Sequence, residues 1–467
     1  FESLANVDPK TGNGVPSLAD RWELSADGLS YTFHLHPGVS WSDGRPFTAD
    51  DVQFTFQTVL DPKVQTTLRS RLDGVTRLEI IDPLTFRMTM RESSCPALLA
   101  TAGIPIVPKH LLANSADFNK DDFGSSRPVG TGPYGFVEWK KDDHITLIAN
   151  ATHWRGTPNI GRVIRKVVKD NTVTAAQLRA GEIDWAIVQP ESVDDLRTDA
   201  HLDLIQYGNS TINYIVWNLD RPVLSDKRVR QALAYGLDRD ALIKTLFNGQ
   251  GEVLQSPILS FSWAYNASVP KYPYDPDRAK ALLADAGWTP GPDGIARRSG
   301  VPLRFALVTN SGNKAREGVL TVAQDQWRRI GVDAQPQLLQ LNAVNDKLQK
   351  THDFDAVLGQ FVPGVDPDQS AVWSSKEYPS GLNYSHYADP AVDALLAQAR
   401  TQGGCGQAAR KALYDRLQVT LLDAQPVLLL YQPITFIASD RTLRGISPTA
   451  YARPQWNLAQ WNWAASP

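Results

Sequence analysis

The sequence predicts a mixed α/β protein of more than one domain, with an antiparallel, strand-rich region near its start. Three observations carry this expectation. Tyr31, Phe33 and Leu35 alternate with Thr32, His34 and His36, the period-two pattern of a strand with one buried face. From Ile164, and again from Leu303, apolar run, helical pattern and apolar run follow one another as in a βαβ unit. Loop-like stretches at Val129–Pro133 and Gly251–Pro273 punctuate a chain of 467 residues, long enough for two or three domains.

The elements follow in order. Leu18–Leu60 reads as a hairpin feeding a helix, with turn chemistry in Ser25-Ala26-Asp27-Gly28 and Ser42-Asp43-Gly44. Thr48 and Asp51 have capping-box spacing, and Val52, Phe56, Val59 and Leu60 make one helical face. Leu78–Ile80 and Leu84–Met90 form an antiparallel pair across Asp82-Pro83; Leu98–Leu112 is broken into short helices. Val163–Val168 leads to a helix capped by Asn171 and stopped by Gly181, with Ile183–Ile187 as a returning parallel strand. Tyr214–Asn218 is a strand, followed by helices Asp226–Gly236 and Asp238–Asn248. Asp275-Pro276 opens a helix that Gly287 ends. Leu303–Val308, a helix from Asn313 to Arg329 and a strand from Val332 make the second βαβ unit. Phe354–Leu358 and Val427–Tyr431 are strands; Asp389-Pro390 starts one helix and Gln407–Leu422 is another.

Composition narrows the function. Hydrophobic residues at 42% and charged residues at 21% are globular values, and a net charge of -3 gives no reason to expect nucleic acid. No run reaches the roughly 18 to 20 apolar residues that span a bilayer. Cys95 and Cys405 stand outside any CxxC motif and are expected as free or buried thiols, one bridge being the alternative. The eight His include no HExxH spacing, and the chain has neither a GxSxG elbow nor a phosphate-binding glycine loop. Asp142-Asp143 and Asp194-Asp195 are sequence neighbours that do not face one another as glycosidase carboxylates must. No catalytic residue, metal ligand or cofactor is therefore assigned.

Six blocks point to one family: LADRWELSADGLSYTFHL with WSDGRPFTADDV, VGTGPYGFVEWK (Val129–Lys140), LRAGEIDWA (Leu178–Ala186), DKRVRQALAYGLDRDALI (Asp226–Ile243) and YDPDRAKALLADAGW (Tyr274–Trp288). Over essentially the whole chain the sequence resembles the extracellular solute-binding proteins of family five, which deliver peptides, nickel and other solutes to ABC importers. The resemblance implies a two-lobed periplasmic-binding-protein fold, type II-like and of the peptide-binding cluster, with an extra antiparallel β-rich subdomain near the N-terminus. Lobe I would comprise 1–17, 128–250 and 440–467, the extra subdomain 18–127 and lobe II 251–439. Family members usually carry a further upstream segment, so truncation is expected, with any secretion signal or lipid-anchor Cys lying there.

The implied function is capture of a peptide or peptide-like solute between hinged lobes, outside the membrane or in the periplasm, and delivery to an ABC permease by a monomer. An oligosaccharide or other organic solute is the alternative; a sensor-type binding protein and a secreted hydrolase are rivals, and nickel or haem delivery is known in the family. Peptide-binding relatives place an Asp for the ligand's α-amino group in the loop after the strand matching Phe354–Gly359, and here that position falls on Pro363. Asp366, before Pro367, is expected as a helix N-cap. The resulting ligand-site candidates are Trp217, Trp263, Gln360, Phe361, Val362, Pro363, Gly364, Trp373, Asn383 and Tyr384. Trp22, Trp41, Trp139, Trp154 and Trp288 are expected in the core.

Overall fold

The computed structural model describes residues 1–464. Its contacts divide the chain into two compact units, one formed by Phe1–Tyr207 with the chain from Phe436 onward, the other by Gly208–Thr435. The sequence boundary at residue 250 differs from this division. Residues 208–250 pack with the second unit, because Ile215 and Trp217 and the helices Lys227–Tyr235 and Arg239–Leu246 bury their apolar faces in its core.

In the first unit the expected strand-rich region is a four-stranded antiparallel sheet, ordered Ala19–Leu24, Ser30–Leu35, Thr85–Met90, Val75–Asp82. Tyr31, Phe33 and Leu35 are buried with Phe86, Met88 and Met90, the two alternating sets sharing one face. Helix Ala49–Leu60 lays Val52, Phe56 and Val59 on that face, the Phe56 and Phe86 rings meeting edge to face at 5.6 Å. Its capping box forms: Asp51 accepts from Thr48 N at 3.1 Å and from Lys109 N at 2.9 Å, which pins the incoming and a distant segment to one carboxylate.

Two expectations for this unit change. Residues 162–188 are not a parallel βαβ unit: Arg162–Lys166 completes an antiparallel sheet with Tyr134–Lys140 and His144–Ala149, whereas Trp185–Val188 pairs antiparallel with Phe436–Ser439. Strand–helix–strand patterning does not say which sheet each strand joins. The cap of the intervening helix is Asp170, whose side chain accepts from Thr172 N and Val173 N, one residue before Asn171. Trp139, expected in the core, is 49% exposed on the three-stranded sheet, while Trp41 and Trp288 are buried.

The second unit contains a true βαβ unit. Arg304–Asn310 and Asp333–Leu339 are parallel neighbours joined by helix Lys314–Arg328, and Ala356–Phe361 runs parallel beside Arg304–Asn310. Ile212–Trp217 joins Ala356–Phe361 antiparallel and is flanked in turn by the strand beginning at Val427. That last strand does not stop at Tyr431 but runs on through Pro433 to Asp440. Period two sorts the core onto the two faces of the sheet: Ile215 and Trp217 enter one cluster, Ile212 and Val216 the other.

Neither cysteine is a free thiol; both are disulfide-bonded, a state that oxidising compartments sustain. Among the described residues no helix is long and apolar enough to cross a membrane.

Candidate ligand site on the second unit

The parallel strands of the second unit end together at Asn310, Leu339 and Phe361. Helix Lys314–Arg328 starts at this edge, with Asn313 capping it by accepting from Arg316 N at 3.1 Å. The antiparallel strand Ile212–Trp217 begins here, and the chain enters and leaves the unit at nearby Gly208 and Thr435. The carboxyl edge of an open α/β sheet is where loops converge and ligands bind, since the strands hold the loops rigidly and the helix starts present free N–H groups.

The loop after Phe361 is tied down at its far end. Arg410 donates to both Asp366 oxygens, from Nη1 at 2.8 Å and Nη2 at 2.6 Å, and its guanidinium lies over the Trp263 ring at 5.4 Å. Burial works against the Arg410 charge, but the bonded Asp366 outweighs it and raises the pKa above the ordinary arginine value. Asp366 is therefore not the expected helix N-cap. The short helix Ser370–Trp373 is preceded by Gln369, and Asp368 accepts from Ser370 N at 3.0 Å and from Arg400 at 2.6 Å.

Of the sequence candidates, Gln360, Val362 and Gly364 are exposed, Val362 by 62%, and Phe361 and Pro363 are half-buried. The Phe361 ring meets Tyr214 edge-on at 5.6 Å. Tyr384 is half-buried, its hydroxyl accepting from Gln349 Nε2 at 3.3 Å, and Trp263 is half-buried against Tyr414 and Arg410. Three candidates lie inside the unit. Trp217 has no exposed surface and packs between Phe305 and Trp327. Trp373 is buried and donates to Gln369 Oε1 at 2.7 Å; Asn383 is buried and donates to the Ser374 and Tyr387 carbonyls. These three side chains are spent on the interior, because the strand and loop turns that carry them face the core.

Sequence reasoning missed Tyr214, Asn310, Arg316 and Tyr431, which surround the same edge. Arg316 Nη1 donates to Asn310 Oδ1 at 2.5 Å, while Arg316 Nε is buried without a hydrogen-bond partner. Burial holds the Arg316 pKa below the ordinary arginine value, with Tyr431 and Tyr214 pulling the other way. Burial, with Tyr384 close by, pushes the Tyr214 hydroxyl well up, and burial pushes Tyr431 up to about 12. A cation in the first turn after the first parallel strand was the available signal. Among the described residues no group of three or more His, Cys, Asp or Glu is arranged to hold a metal.

Rigid strand ends, a tethered loop and unspent polar groups at the carboxyl edge define a small-molecule-binding architecture. The profile of the bacterial extracellular solute-binding proteins, family 5 Middle, matches residues 13–381. Oligopeptide-binding protein AppA of Bacillus subtilis is 32% identical across 100% of this chain and 86% of its own length. Heme-binding protein A of Haemophilus influenzae is 30% identical, covering 93% of this chain and 82% of that protein. The solved structure of Bacillus subtilis AppA with a nonapeptide superposes with a TM-score of 0.82 at 30% identity, covering 100% of this chain and 93% of that one. NikZ of Campylobacter jejuni with Ni(L-His) gives 0.83 at 28% identity, covering 99% and 93%. The chain belongs to family 5 of the bacterial extracellular solute-binding proteins. It has their two-lobed, mixed α/β fold and their role as the substrate-binding component of an ABC importer.

Proposed function

We propose that the solute is a peptide or peptide-like molecule and that Gln360, Phe361, Val362, Pro363, Gly364 and Tyr384 provide the second unit's contacts to it, with Trp263 behind them. The observation that carries this reading is the strand end and the loop it feeds: exposed Gln360 and half-buried Phe361 close the strand, and exposed Val362 and Gly364 flank half-buried Pro363 at the apex of a loop whose far end Arg410 and Arg400 anchor. Such an apex offers main-chain hydrogen bonds and apolar surface, which suit a peptide backbone with varied side chains. Similarity to AppA, whose structure holds a nonapeptide, supports the same class. With proline at position 363, the apex has no carboxylate to neutralise a ligand ammonium.

The protein then works as a monomer on the outer side of the membrane, handing its solute to permease subunits without catalysis. An oligosaccharide is the second reading, favoured by an exposed amide at Gln360 and half-buried rings at Phe361 and Tyr384 on the same unit. Mass spectrometry of small molecules released by denaturing freshly purified protein separates the two. Peptides support the first reading, and sugars replace it with the second.

A further inference from the structure

Gln425 closes helix Gln407–Ala424 with its backbone in the left-handed region, at φ 49°, and Pro426 then leads into the strand Val427–Asp440. The turn carries its side chain inward, leaving the residue 2% exposed. One neighbour sets the direction of the amide. Nε2 donates to the Leu422 carbonyl at 2.9 Å, and the Tyr272 hydroxyl donates to the same oxygen at 2.8 Å. Reversing the amide would press two acceptor oxygens together, so Oε1 is the atom left over, and it is buried without a hydrogen-bond partner. A buried acceptor in that state is costly for a fold to retain. Nearby stands a cation with unused donors. Arg239 donates from Nη1 to the Leu254 and Leu429 carbonyls, at 3.0 and 2.9 Å, and from Nη2 to the Tyr272 carbonyl at 2.8 Å. Those bonds leave the Nε–H and one Nη2–H without a partner among the described residues. Burial lowers the Arg239 pKa to about 10, so the guanidinium is still charged at neutral pH and keeps every donor.

Both side chains line one cavity of about 10 Å³, with Leu254, Gln255, Tyr272 and Leu429 among its other walls. That space holds one water molecule and nothing larger. We propose that this cavity is the binding site of a single internal water, which donates to Gln425 Oε1 and accepts from the Arg239 guanidinium. Chemistry selects water over an ion. An anion would suit the guanidinium but leave the amide oxygen without the donor it needs, and a metal cation would meet that oxygen beside a fixed positive charge. Water supplies a donor and an acceptor at once. Arg239 and Gln425 share no direct hydrogen bond among the described residues, so the water is what ties the start of helix Arg239–Leu246 to the end of helix Gln407–Ala424. It thereby fixes the root of the strand Val427–Asp440, whose residues from Phe436 onward belong to the first unit. The site is the same whichever solute the protein carries.

A crystal structure of the full chain, diffracting well enough to place ordered waters, tests this. The expected result is one fully occupied water peak within about 3.2 Å of both Gln425 Oε1 and an Arg239 nitrogen. An empty cavity overturns the proposal. So does an amide or guanidinium turned so that the two bond directly, or an ion in the cavity revealed by its anomalous scattering. Gln425→Met keeps the length of the side chain and removes the acceptor. In a crystal of that variant the peak should be lost while the three carbonyl bonds of Arg239 remain. A water that stays fully occupied there shows that Oε1 does not hold it and overturns the assignment. The wild-type crystal decides the matter alone if the variant does not fold.

Discussion

The Arg410 guanidinium grips the Asp366 carboxylate with two hydrogen bonds, at 2.6 and 2.8 Å, and its third nitrogen donates to the Ala399 carbonyl at 2.9 Å. One arginine thus fastens the loop after Phe361 to helix Gln407–Ala424. Replacing either partner alone leaves the other charge withdrawn from water without compensation. Arg410→Ala or Asp366→Ala is expected to lower stability by about 3 to 5 kcal/mol, and the double variant by less than the sum. Urea denaturation of the set measures this; additive losses would mean that the pair is not coupled.

Trp373 supplies volume and a hydrogen bond to the interior. Trp373→Ala should cost about 3 to 5 kcal/mol of stability, the range for deleting a buried aromatic. Solute affinity, measured well below the lowered melting temperature, should stay within about twofold. A selective loss of affinity with unchanged stability would place this tryptophan at the ligand after all.

Pro363→Asp introduces the missing acid at the loop apex. Peptides with free amino ends should gain at least tenfold in affinity, about 1.4 kcal/mol, while their N-acetylated counterparts do not. Calorimetry on matched pairs reads the difference, and equal changes for both members would show that this position does not meet the ligand's amino end.

His386 carries a pH dependence. Burial lowers its pKa below the ordinary imidazole value, opposed by Asp220, whose carboxylate lies 2.6 Å from Nδ1, and aided by His352 and Arg221. Its Nε2 is buried without a hydrogen-bond partner, and the Tyr378 ring packs against it at 3.9 Å. The folded state therefore disfavours the protonated ring. The resulting stability is complete above about pH 6.5, the unfolded value, and falls as pH drops through the window down to the depressed folded pKa. Denaturation midpoints from pH 7.5 to 5 should decline more steeply for the wild type than for His386→Gln; identical slopes would refute the assignment.

Local chemistry made much of this fold readable. The alternation at Tyr31, Phe33 and Leu35, the Thr48/Asp51 box and the caps at Asp238, Asp275 and Asp389 are signals satisfied within a few residues, and each forms as expected. Partnerships between distant segments were not readable. Nothing around Ile183 tells that its strand pairs with Phe436–Ser439, and nothing around Asp366 announces Arg410 forty-four residues on. For the same reason Trp217 and Trp373 looked available for a ligand: an aromatic in a strand or loop declares its size, but which side it faces depends on what packs there. Arg316 escaped notice because an arginine in a helix is ordinary. Only its surroundings, one amide oxygen and an unpartnered Nε, set it apart.

The fastening of the loop after Phe361 also bears on how such proteins diversify. Stability resides in Asp366, Asp368 and their arginines, whereas the residues between Phe361 and Val365 take no part in those bonds. Mutations at the apex can therefore accumulate without drawing down the narrow stability margin that usually limits evolutionary change. A lineage can exchange side chains at this apex while inheriting the scaffold intact.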